Sequence, residues 1–132
     1  MERVVNVGLD LVGLGPGLTP SGDDYLGGLF FSAYHLKAVY HLEFEKENDL
    51  LHNFLHEAHL LTNRISHTIL SDLAHGHGPA PLHDLISLIL QESAEQQLRD
   101  SAKQLIRIGH TSGWDMLAGA LTGMLLRDNL ES

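Results

Sequence analysis

Residues 23–42 read DDYLGGLFFSAYHLKAVYHL, and this run sets the fold class. It is apolar on almost every side of a 3.6-residue turn, as expected of a helix enclosed by neighbours. Residues 48–74 place Leu51, Phe54, Leu55, Ala58, Leu61, Ile65 and Ile69 at three- and four-residue spacing, which predicts one long amphipathic helix. HGHGPAP (75–81) ends that helix with its glycines and prolines, and LHDLISLIL (82–90) follows as a short apolar helix with Pro81 suited to its first turn. Ser93 and Gln96 form an S-x-x-Q capping box for a helix with Leu98, Ala102, Leu105 and Ile106 on its apolar face, and Gly109 is placed to stop it. A last helix begins near Ser112 and runs through MLAGALTGMLL (116–126). RVVNVGLDLV (3–12) is rich in β-branched residues and reads as an extended arm. The expectation is therefore an all-α fold of about five helices in a single domain spanning 1–132. An extended arm covers 1–12, a glycine-rich loop 13–24 and a bundle 22–132, with two glycine-rich buried helices at the centre.

Composition narrows the function. The 132 residues carry a formal net charge of −9, with eight Lys and Arg and no basic run. Nucleic acids and anionic membranes need a cationic footprint, so neither is expected as a partner. No segment offers the ~20 consecutive apolar residues that span a bilayer. The chain has no cysteine, which removes disulfides and thiolate metal sites and fits a cytoplasmic location.

Ahead of the central helix lies GLGPGLTPSGDD (13–24), and part of it returns near the C-terminus. S-G-D-D-Y-L-G-G (21–28) aligns without gaps on S-G-W-D-M-L-A-G (112–119), so that Ser21, Gly22, Asp24, Leu26 and Gly28 pair with Ser112, Gly113, Asp115, Leu117 and Gly119. Two S-x-x-D capping boxes explain much of this echo, at about 1 kcal/mol each. A cap needs no glycine at its first helical position, where glycine costs roughly 1 kcal/mol against alanine. Glycines there instead bare backbone amides toward an anion. If the two helix starts meet, Gly15, Gly17, Gly22 and Gly113 amides with Thr19, Ser21 and Ser112 hydroxyls hold the anionic end of a small molecule. Asp23, Asp24 and Asp115 then accept from its N–H end. The lack of a Lys after the glycines argues against a P-loop, and G-L-G-P-G makes a poor dinucleotide fingerprint because no βαβ unit surrounds it.

These motifs, with T-N-R-I-S-H-T-I-L (62–70) between them, resemble the bacterial family that includes the AllH-type subunit of oxamate carbamoyltransferase. The resemblance runs from about residue 10 to the end and implies a short form lacking the family's N-terminal half. It also implies carbamoyl transfer between oxamate or oxalurate and phosphate within a multi-subunit enzyme, hence a partner subunit or a homo-oligomer. Oxamate and oxalurate combine a carboxylate with N–H groups, the ligand type argued above. In this scheme Asp24 and Asp115 orient the N–H side and one serves as general base. His110 shuttles a proton or neutralises developing charge, and Arg64 offsets the anion. No resident cofactor is expected, a hydrated Mg²⁺ carrying the anion being the alternative.

Other features have plainer explanations. His52, His56 and His59 share one side of a helix, yet a solvated polar face accounts for them without metal. His75 and His77 flank a turn glycine, and Trp114, in the place of Asp23, either packs over a first helical turn or stacks on a ligand. Thr62, Asn63, Arg64 and Ser66 form a mid-helix polar patch. Two further function classes stay open: a non-catalytic helical interaction subunit, and a Mg²⁺-dependent hydrolase of a phosphorylated small molecule.

Overall fold

The computed structural model describes residues 2–40 and 45–130. Its elements are α1 (Glu2–Leu11), α2 (Ser21–Tyr40), α3 (Glu45–Ala58), α4 (Arg64–Ala74), α5 (Ala80–Leu90), α6 (Glu95–Leu105) and α7 (Ser112–Leu130), with no strand among the described residues. The fold is all-helical. The portion of the central run beyond Tyr40 lies outside the described residues.

Two differences raise the helix count from about five to seven. The N-terminal arm is not extended but helical: Val5, Gly8 and Val12 are buried while Asn6, Val7 and Asp10 are exposed, a period near 3.6 that outweighs the β-branched composition. The single helix expected over 48–74 is two, broken at His59–Asn63. Asn63 causes the restart. Its backbone is extended (φ −81°, ψ 163°), and its side-chain oxygen accepts the Ser66 amide at 2.8 Å, capping α4. Leu60 and Leu61, apolar by type, sit exposed in the break.

The capping box at Ser93 and Gln96 does not form. The cap position of α6 is Ala94, Ser93 donates its amide to the Leu88 carbonyl, and Gln96 bonds Asp100 along the helix. Gly109 does not end α6 either, since the helix stops at Leu105. Gly109 (φ +61°) instead turns the chain into α7.

α2 and α7 make the largest helix–helix contact, with α4 packed on another side of α2, α1 against α3, and α5 against α6. Two apolar clusters flank α2: one is built on Leu26, Leu29, Phe30 and Phe54, the other on Phe31, Leu73, Leu82 and Leu105. That position, between two cores and a partner helix, is why α2 is apolar all round.

The α2–α7 contact is reciprocal. The Cα of Gly28 lies on the Met116 carbonyl, and its counterpart Gly119 lies on the Tyr25 carbonyl, Met116 and Tyr25 being counterparts as well. A Cβ at either glycine would run into that carbonyl. Contacts advance in step along both helices, from Thr19–Ser112 through Gly28–Met116 to Ser32–Gly123, so the two run in the same direction. Among the described residues no helix is long and apolar enough to cross a membrane.

Close backbone contact leaves no slack for added atoms. Gly28→Ala or Gly119→Ala is expected to cost about 3 kcal/mol or more by urea denaturation, the overpacking penalty. Gly17 (φ +96°) has open space around its Cα. Gly17→Ala should therefore lose only about 1 kcal/mol, from its backbone conformation alone.

Candidate active site at the joined helix starts

The parallel course of α2 and α7 sets their N-termini side by side. Thr19 Oγ1 and Ser112 Oγ are 2.9 Å apart, joining the loop before α2 to the first residue of α7. Both helix dipoles thus present their positive ends to one place, which favours negative charge there. Asp23, Asp24 and Asp115 occupy the two first turns.

Neither serine caps its own helix, contrary to the capping-box expectation. The Asp24 and Asp115 amides bond the Pro20 and Thr111 carbonyls, so each serine is the first helical residue rather than the cap, and Ser112 reaches Thr19. The glycines at the second helical position have packing duties. The Gly22 Cα sits on the Leu11 carbonyl that ends α1, and the Gly113 Cα on the Leu105 carbonyl that ends α6. Their amides are already engaged, Gly22 with the Leu14 carbonyl and Gly113 with the Ile108 carbonyl, both at 3.0 Å. The bare amides expected at Gly22 and Gly113 are therefore not present. In the loop, Gly15 (φ +114°) and Gly17 (φ +96°) are exposed, and their amides make no backbone bond among the described residues.

The two adjacent aspartates have different surroundings. Asp23 is buried with both oxygens occupied: Oδ1 accepts the Gly13 amide at 2.8 Å, and Oδ2 accepts the Thr62 and Ser66 hydroxyls at 2.5 Å each. It fastens the glycine loop to the start of α4 and has little left for a ligand. Asp24 is only 2 % exposed, yet its Oδ2 has no hydrogen-bond partner, and the Oδ2 of Asp115 is likewise buried and unpartnered. Burial raises the Asp24 carboxyl to about 6, against the opposing pull of the Ser112 and Thr19 hydroxyls; the charges of Asp115 and Asp23 add to the rise. A carboxylate serving only as a helix cap is held in its charged form by amides and dipole. Asp24 does the reverse.

The remaining predicted residues lie at the rim. Ser21 is half-buried with its amide beside Gly15. His110 is exposed in the turn before α7, and Trp114 is 57 % exposed on the first turn of α7. Arg64 is exposed at the first position of α4 and has no carboxylate partner among the described residues.

The histidine rings of α3, the break after it and α4 stand apart from one another. The His59 ring lies 5.6 Å from that of His56 and 6.0 Å from that of His67, and His67 Nε2 is spent on the Leu55 carbonyl at 2.7 Å. Among the described residues no three acidic or histidine side chains are grouped as metal ligands. A cluster that the sequence did not reveal joins His35 of α2 to His83 of α5, ring centres 5.3 Å apart, both against Phe31. His35 is held below its usual range by burial, which the bond between its Nε2 and the Gly76 carbonyl (3.2 Å) opposes. The four-residue step from Phe31 to His35 was the available signal.

The two acids should respond oppositely to substitution. Asp24 binds its proton more tightly folded than unfolded, so its contribution to stability is full below pH ~4 and is lost as pH rises to about 6. Asp24→Asn should remove that loss and raise stability at pH 7–8 by up to about 3 kcal/mol, measured as urea unfolding across pH. Asp23→Ala, which strands three donors, should lower stability by about 3 kcal/mol at the same pH.

Residues 11–124 match the family model of the oxamate carbamoyltransferase subunit AllH. No solved structure matches the chain. The match takes in both copies of the glycine–aspartate motif and every element from the end of α1 into α7, and the chain belongs to the AllH family.

Proposed function

We propose that this chain is the small-molecule-binding subunit of a carbamoyltransferase-type enzyme, with its site where α2 and α7 begin. One observation carries the reading: buried Asp24 and half-buried Asp115, from different helices, each keep one buried oxygen without a partner at the point where both helices start. Stability alone gives no reason to bury an unpaired acid. A ligand with N–H donors completes both.

Oxamate and oxalurate carry such donors beside an anionic carboxylate. In the proposed transfer a phosphate oxygen attacks the terminal carbamoyl carbon of oxalurate. The bond from that carbon to the oxamate nitrogen breaks, giving carbamoyl phosphate and oxamate. The attacking hydrogen phosphate loses one proton and the departing nitrogen gains one. Asp24, titrating at about 6, suits the relay between them. Asp115 accepts from the substrate amide, Thr19 and Ser112 orient the carbamoyl group, and Gly15 and Gly17 offer amides to the anion. His110 and Arg64 stand at the rim as proton shuttle and counter-charge for phosphate.

A second reading, a helical interaction subunit, draws on exposed apolar residues around the same end. Leu14 is 54 %, Leu18 61 %, Leu61 50 % and Ile65 53 % exposed. On that reading a partner subunit covers this collar and the chemistry lies elsewhere in the complex.

Thermal-shift titration separates the two. Oxamate with inorganic phosphate at a hundred times its Kd stabilises a binder by about 2.7 kcal/mol, a shift of several degrees. Asp24→Asn and Asp115→Asn are expected to abolish the ligand shift while melting no lower than the parent chain. Added Mg²⁺ should change neither result. An unaltered ligand shift in both variants would remove the acids from the site, and no shift in the parent chain would leave the interaction subunit.

A further inference from the structure

Asp24 is closed off, and the structure assigns the closure to a short lid with Asn63 as its latch. Asp24 is 2 % exposed and its free oxygen is out of reach of solvent, so a ligand cannot meet it while the chain stays as it is. The Thr19 hydroxyl lies against the Asp24 carboxyl, so the loop that carries Thr19 forms part of the cover.

The ends of that loop are fixed. Gly13 donates to Asp23 and packs on the Leu61 carbonyl. Leu14 is bonded through its amide to Leu11 and through its carbonyl to Gly22. Pro20 is buried and its carbonyl accepts two amides of α2. Between these anchors, Thr19 is tied to Ser112 and to the Asp24 carboxyl, and Asn63 Nδ2 donates to the Leu18 carbonyl at 2.6 Å. Gly15 and Gly17 are in left-handed conformations, and Gly17 has no atom near its Cα that would demand glycine for packing. Backbone freedom at a place with room to move is what a hinge needs.

Residues 15–19 are on this inference a glycine-hinged lid over the Asp24 carboxyl, and Asn63 is its latch. Asn63 does two separable jobs with one amide group. Its Oδ1 caps α4 through the Ser66 amide, and its Nδ2 holds the lid through the Leu18 carbonyl. Aspartate keeps the first job, being as good a cap as asparagine, and lacks the donor for the second. The latch is itself exposed, so water competes for the Leu18 bond and the lid can open without unfolding the bundle. The identity of the ligand rests on the function proposed above; the lid and its latch do not.

The test is chemical access to Asp24. The parent chain, Asn63→Asp and Asn63→Ala are treated with a water-soluble carbodiimide and glycine ethyl ester near pH 5.5, and labelled carboxyls are mapped by peptide mass. Asp24 in the parent chain should label far more slowly than exposed acids such as Asp84. Asn63→Asp should melt within about 2 °C of the parent while Asp24 labelling rises about tenfold, with Asp23 still protected. Asn63→Ala should show the same rise and a lower melting temperature, because the cap is lost as well. ¹⁵N relaxation should show larger fast motions at Gly15, Gly17, Leu18 and Thr19 in both variants. Unchanged Asp24 labelling in Asn63→Asp would overturn the latch, as would labelling of Asp24 in the parent chain at the rate of an exposed acid. Oxamate with phosphate, added to the parent chain, tests the function separately: absence of binding counts against that proposal and leaves the labelling result standing.

Discussion

The structure depends on the backbone contact between α2 and α7 at Gly28 and Gly119. Each glycine lets a carbonyl of the other helix touch its Cα, and the reciprocity fixes both the register and the direction of the pair. Helices pressed together at this distance bring their dipoles into line. Running in the same direction, they set two positive ends beside each other. That arrangement is unfavourable by itself and becomes tolerable where acidic groups share the ends.

Three aspartates supply this charge, and packing divides them into two roles. Asp23 receives three donors and ties loop, α4 and α2 together. Asp24 and Asp115 are left with unfilled oxygens in the interior. The burial that raises the Asp24 carboxyl makes the folded chain less stable at neutral pH than one with an uncharged group there. The family to which the chain belongs is described as the oxamate carbamoyltransferase subunit AllH.

The glycine loop links this interior to the surface. Its glycines have unequal duties: Gly13 and Gly22 are pinned by carbonyls against their Cα atoms, while Gly17 touches nothing. Asn63 connects the loop to the break between α3 and α4, so the event that divides one predicted helix into two also produces the group that holds the loop down.

By itself the sequence determined the helical class, the enclosed character of α2, the start of α7, and the internal echo that singled out Asp24 and Asp115, because hydrophobic period and short motifs are local properties. It did not determine that residues 3–12 are helical, since β-branched composition and helical spacing point opposite ways until α3 and α2 cover one face. Nor did it show that Asp23 is fully occupied, since the two adjacent acids diverge because one turns toward Thr62 and Ser66, more than thirty positions away, and the other toward Ser112 and Thr19. The occupied amides of Gly22 and Gly113 were hidden for the same reason: whether a donor is free depends on which carbonyl the folded chain brings to it, and that is decided only when distant helices have packed.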